Sequence, residues 1–156
     1  SQILYFEWVY DPENAEMAFW DFVGNPYRFY LDSGEPALPV AVSVGDLADD
    51  PGRYRAAVYL RGAWALRMLR GILGDEAFFR ALGVYAEENA FGVAAGEDLV
   101  SAFEESWGGD LDWFFEEWVY GGCVPSYRVT DVGWGAEGAY GCEDSLGRSE
   151  NSRRGI

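Results

Sequence analysis

The sequence contains no histidine and no lysine, and only two cysteines. Each absence excludes a chemistry. Without histidine the chain supplies neither a Ser-His nor a Cys-His pair, and no histidine-containing zinc site. Cys123 and Cys142 are too few for an all-cysteine zinc site. No apolar run of about 18 residues occurs, so no transmembrane helix is expected. Basic charge is scarce: 11 residues, all arginine, face 27 acidic ones, for a net charge of −16. Such a charge repels phosphate backbones and speaks against nucleic acid as a partner. No initiator Met and no secretory signal pattern opens the chain. Ser1 runs straight into Ile3-Leu4-Tyr5-Phe6, which reads as the middle of a longer protein.

What is present belongs to a folded chain. At 156 residues it is long enough for one domain with a real core, and 49% of it is hydrophobic and 17% aromatic. Disordered chains are poor in both classes.

Residues 3–10 are apolar and aromatic apart from Glu7, and at that length helix and strand cannot be told apart. Asp11-Pro12 starts a helix, with Asp as cap and Pro in the first turn. Its stripe runs through Met17, Phe19, Trp20, Val23, Tyr27, Tyr30 and Leu31, and Gly24-Asn25-Pro26 predicts a break or kink. Residues 33–53, punctuated by Gly and Pro, read as a long ordered loop. From Tyr54 a helical pattern places Val58, Gly62, Ala65, Leu66, Leu69, Ile72 and Leu73 on the buried side, up to Gly74. The next helix carries Phe78, Phe79, Leu82, Tyr85 and Ala86; a third carries Leu99, Val100, Phe103 and Trp107. In a fourth, Leu111, Phe114, Phe115 and Trp118 recur at i, i+3, i+4 and i+7, which argues for core rather than a ligand face. After Gly121-Gly122 the chain turns extended, and Tyr127–Thr130 suits the start of a strand. The reading is all-α: a helical part over residues 1–125 and an extended or disordered tail over 126–156.

Three blocks then stand out in order: Val58-Tyr59-Leu60-Arg61-Gly62-Ala63, Leu73-Gly74-Asp75, and Gly109-Asp110-Leu111-Asp112-Trp113-Phe114-Phe115-Glu116-Glu117-Trp118. Together they resemble the alanyl aminopeptidase family of gluzincin zinc metallopeptidases, in the second half of its thermolysin-like catalytic domain. That family reads Tyr-x-Lys-Gly-Ala, Leu-Gly-Asp, and Asp-Leu-Asp-x-Phe-Phe-x-x-Trp before a Gly-x-Pro. Gly122-Cys123-Val124-Pro125 echoes the last of these, one residue longer. The match is good over residues 47–129 and loose over 5–46.

The resemblance implies a helical subdomain of a thermolysin-like catalytic domain. It also implies that the Tyr59 hydroxyl donates a hydrogen bond to the oxyanion of a tetrahedral intermediate. A phenol is neutral at pH 7 and a good donor. Tyr54 matches a second active-site tyrosine of some family members, five residues earlier. The family's Lys is Arg61 here, which keeps the charge but changes the geometry. The implied cofactor is zinc in the intact enzyme, with none bound by this chain. The His-Glu-x-x-His motif, its downstream Glu and the Gly-x-Met-Glu-Asn segment are all absent from it. The implied partners are a peptide substrate and the N-terminal half of the catalytic domain.

On this basis the chain reads as part of an aminopeptidase, inactive by itself. The alternatives are a non-catalytic interaction module, self-associating through exposed aromatic surface, and a pseudo-peptidase. Glu87-Glu88, Glu104-Glu105 and Glu116-Glu117 read as a solvated face, because adjacent helical residues point apart. Arg61, Arg67 and Arg70 are expected to pair with the surrounding acids. Cys123 and Cys142 suit a disulfide or two free thiols equally well.

Overall fold

The structure, a computed structural model, describes residues 2–47, 49–122, 124–128, 139–143 and 149–150. The folded body is helical throughout. α1 (Gln2–Val9) resolves the ambiguity of the first apolar run in favour of helix. α2 (Pro12–Phe19) begins as expected: the Asp11 carboxylate accepts from the Asn14 backbone N–H at 3.1 Å, and Pro12 occupies the first turn. Of the break or kink predicted at Gly24-Asn25-Pro26, the break does not occur, but the α-helix is interrupted there. A π-helical stretch, Trp20–Gly24, widens the turn, and the rod continues through α3 (Asn25–Asp32). A wider turn hydrogen-bonds one residue further back, which accommodates the N–H that Pro26 lacks. A Cβ on Gly24 would run into the Trp20 ring, so a larger residue there would force that ring to shift.

Residues 33–43 form a strap, tied early by the Tyr30 hydroxyl donating to the Pro36 carbonyl at 2.8 Å. A 3₁₀ turn (Val44–Leu47) leads to the second rod. That rod starts three residues before the predicted Tyr54. Asp50 caps it, accepting from the Arg53 N–H at 3.0 Å. It comprises α4 (Pro51–Tyr54), a π-helical stretch (Arg55–Arg61) and α5 (Gly62–Leu73). Gly74, at φ +76°, turns the chain into α6 (Asp75–Glu88). α7 (Gly96–Trp107) follows. Its N-cap Ala95 has no side-chain acceptor, so only the return half of a capping box forms, with the Ala95 N–H donating to Asp98 at 2.7 Å. α8 (Asp112–Phe115) passes into a third π-helical stretch, Glu116–Tyr120. Beyond it β1 (Val124–Arg128) pairs antiparallel with β2 (Ala139–Glu143), and β2 with β3 (Ser149–Glu150). The side chains of Cys123 and Cys142 lie outside the described residues.

The second rod is the spine between two cores. On one side Phe6, Phe19, Val23 and Tyr27 pack against Leu60 and Ala63. On the other, Phe78, Phe103, Leu111, Phe114 and Phe115 pack against Ala65 and Leu69. A helix buried on two sides shows no single stripe, and the π stretch shifts its phase. This explains why Ala56, Ala57, Leu60 and Ala63 are buried although the sequence pattern passes over them, while Ile72 is 42% exposed. Phe79, expected inside, lies half out beneath the Arg70 guanidinium, 5.0 Å from its ring centre.

Arg67 and Arg70 pair with acids as expected and fasten α5 to its neighbours. Arg67 donates to Glu16 at 2.8 Å and covers the Phe19 ring. Arg70 donates to Glu7 at 2.6 Å and to Asp75 at 2.7 Å. Arg61 is buried, 1% exposed, and donates to main-chain carbonyls.

Candidate functional site

Tyr54 and Tyr59 sit at one end of the spine. Tyr54 is the last residue of α4, and Tyr59 lies within the following π-helical stretch. The structure brings the two phenol rings together edge to face, with centroids 6.0 Å apart and planes at 75°. Tyr59 is 55% exposed, whereas its chain neighbours Ala57, Leu60 and Arg61 are buried. One π turn therefore holds a solvent-facing phenol on a backbone fixed by core packing. Interruptions of this kind recur at functional sites.

Beside Tyr59 runs a groove of about 290 Å³, almost wholly apolar, lined by Val40, Val58, Leu66, Leu69, Leu99 and Val119 among others, with Tyr59 in its wall. Four chain segments build it: the spine, the 33–43 strap, α7 through Leu99, and the last helix. The strap lies close to the spine at Gly62, where a Cβ would be in ordinary contact with the Val40 side chain at 3.5 Å. The Ala41 N–H donates to the Val119 carbonyl at 3.0 Å, seating the strap on the last helix. Gly121 closes that helix where a Cβ would meet the Glu116 carbonyl at 2.7 Å.

Arg61 ties the same turn from the other side. Its Nε donates to the Trp118 carbonyl at 3.1 Å, and one Nη to the carbonyls of Glu117 at 3.2 Å and Gly121 at 2.9 Å. These are the free carbonyls at a helix C-terminus, where a cation is favoured. The guanidinium also lies 5.8 Å from the Trp118 ring centre. Tyr27 faces it from α3, and burial pushes the Tyr27 phenol above its ordinary value while the nearby charge of Arg61 opposes that rise.

Sequence reasoning missed two features. The first is the strap's part in the groove: Val40 and Ala41 carry no motif, and only the fold shows what residues 33–43 lie against. The second is a convergence of carboxylates. Glu104, Asp110 and Asp112 place an oxygen each within 4.8 Å of one another. The sequence reading compared adjacent pairs such as Glu104-Glu105, whereas the Gly108-Gly109 turn gathers acids from separate elements. These carboxylates serve the turn: Glu104 accepts from the Leu111 N–H at 2.8 Å and Asp110 from the Asp112 N–H at 2.9 Å. An all-carboxylate set does not fit zinc, which favours nitrogen and sulfur donors, and the sequence has no histidine to complete one. Nearby, an acidic groove of about 490 Å³ is lined by Glu97, Glu104, Asp112, Glu116 and Tyr120. Burial, reinforced by the charges of Glu97 and Glu116, raises the Tyr120 phenol above its usual range.

Among the described residues no helix is long and apolar enough to cross a membrane. Comparison with known proteins gives the geometry a family. The model of the peptidase family M1 domain matches residues 6–118. The chain is 33% identical to aminopeptidase N of Streptomyces lividans over 81 residues, covering 52% of this chain and 10% of that protein. It is 39% identical to aminopeptidase N of Lactococcus lactis over 77 residues, covering 49% of this chain and 9% of that protein. Against leucyl aminopeptidase of Saccharolobus solfataricus it is 30% identical over 118 residues, covering 74% of this chain and 15% of that protein. The chain thus spans about a tenth of the length of the first of these curated relatives. No solved structure matches at a significant level. A family match over most of the chain, running through all three sequence blocks and both tyrosines, means that this chain belongs to peptidase family M1.

Proposed function

We propose that this chain forms one wall of the active-site cleft of a metallo-aminopeptidase that removes N-terminal residues from peptides. Tyr59 is the donor to the oxyanion that develops on the scissile carbonyl. The observation that carries the reading is the exposed Tyr59 phenol on an otherwise buried π turn, at the mouth of an apolar groove. A rigid backbone under an exposed donor is what transition-state stabilisation needs, because the hydrogen bond must meet charge as it develops without reorganising. Tyr54, edge-on to Tyr59, limits the swing of that ring and completes the phenol pair.

Zinc belongs to the intact enzyme in this reading. The residues of this chain do not fit it, so the chain's own contribution is binding, orientation and one hydrogen bond. The rest of the catalytic domain is the expected partner. The exposed aromatic side chains of Tyr5, Trp8, Phe22 and Phe29 support an extensive contact with it.

The test is Tyr59→Phe in the intact protein, assayed with alanyl and leucyl 4-nitroanilides. The expected result is a fall in kcat of roughly 10²–10³-fold with KM nearly unchanged, as for loss of one oxyanion donor. An unchanged kcat removes Tyr59 from the mechanism.

A further inference from the structure

We infer that Arg61 is a positioning residue for Tyr59: its guanidinium clamps the end of the last helix and thereby fixes the phenol and the groove wall beside it. The inference rests on the reading of Tyr59 given above and assigns the means by which that phenol is held.

The geometry forms a closed circuit. Arg61 grips the carbonyls of Glu117, Trp118 and Gly121. In the same turn, the Val119 carbonyl accepts from Ala41 of the strap. The next strap residue back, Val40, lies against Gly62, which directly follows Arg61 in sequence. Arg61 thus joins the spine to the last helix, and the Ala41 hydrogen bond joins the strap to the same helix end. Val40, Val119 and Tyr59 all line the groove that this circuit encloses. Arg61 and Tyr59 share one π-helical stretch, two residues apart, with Arg61 buried and Tyr59 facing out.

The planar fork of the arginine reaches three carbonyls near one helix end, which leaves the side chain little freedom. Arg61 and Tyr59 both belong to the π-helical stretch Arg55–Arg61. Fastening it from its buried face fixes the direction in which Tyr59 leaves on the exposed face. Catalysis is sensitive to such placement: a shift of about 1 Å in a reacting group costs on the order of 10²-fold.

The test is a double-mutant cycle in the intact protein with the same nitroanilides. Arg61→Met removes the clamp, and Arg61→Lys keeps the charge on a single point. Thermal melts of each variant establish the folded fraction, and Arg61→Lys keeps the question open to measurement if Arg61→Met folds poorly. The expected result is a kcat reduced roughly 10–10²-fold by Arg61→Met and less by Arg61→Lys, with KM within about threefold. In the Tyr59→Phe background, Arg61→Met should lower kcat by no more than about twofold further, since the donor it positions is gone. Two results overturn the clamp while leaving Tyr59 in place: Arg61 variants with full kcat, or an Arg61 effect that multiplies undiminished with that of Tyr59→Phe. If Tyr59→Phe itself keeps full kcat, the reading of Tyr59 fails and the clamp's role falls with it.

Discussion

Three arginines on one rod do two different things, and burial decides which. Arg67 and Arg70 reach the surface between elements and find carboxylates there. Arg61 points into the protein, where a helix end offers it carbonyls. The sequence could show that all three are charged, but not which of them the fold would bury. The surface pairs carry a pH dependence. The hydrogen bond from Arg67 holds the Glu16 carboxyl below its ordinary value, and Arg70 does the same for Asp75. A carboxylate that binds protons more weakly when folded favours the fold above its unfolded pKa, and that support is lost as pH falls through the lower, folded value. The unfolding midpoint should therefore drop as pH goes from about 5 to about 3, and Glu16→Gln should flatten part of that drop. Both groups are largely exposed, so added salt should shrink the effect. Melting curves of Glu16→Gln with an unchanged acid slope would contradict this assignment.

At the scale of elements, most helices were legible and their phases were not. Asp11-Pro12, Gly74 and Gly108 mark helix boundaries by capping chemistry that acts locally, and the structure keeps all three. At Gly24-Asn25-Pro26, where a break or kink was expected, the interruption takes the form of a π turn, and nothing in a 3.6-residue period announces that form. The same insertion in the spine moves the buried face from the expected stripe to Ala56, Ala57 and Leu60. Gly24 offers a direct check on the first of these stretches. Gly24→Ala would drive a Cβ into the Trp20 ring, which is itself packed edge-on against Trp64 at 5.3 Å. The expected cost is about 1–3 kcal/mol, the usual penalty for overpacking. Gly71→Ala is the control, because its Cβ meets nothing within 4 Å and gains up to about 1 kcal/mol of helix propensity. Equal melting temperatures for the two variants would mean that Trp20 does not sit over Gly24.

At the scale of the whole molecule, one spine divides two cores and ends in a pair of tyrosines beside an apolar groove. The all-helical class and the family were readable because three separated blocks kept their order and intervals. Tyr59 was singled out by its place in the first block, not by composition, since it is one of ten tyrosines. The groove was not readable. Its walls come from the strap, the spine, α7 and the last helix, and only folding brings those together. α1 belongs to the same picture: its apolar residues surround the helix rather than one face, and Trp8 is 83% exposed. A helix of that kind is built for burial on all sides.

The central claim is that Tyr59 stabilises charge in the transition state rather than binding the ground-state peptide. The most direct measurement is the affinity of the intact protein, with and without Tyr59→Phe, for a tetrahedral phosphonate analogue of a dipeptide. A transition-state analogue should lose affinity by nearly the factor that kcat/KM loses, whereas binding of the planar dipeptide should barely change. A phosphonate bound equally well by both proteins, or a loss shared equally by phosphonate and dipeptide, would contradict the account.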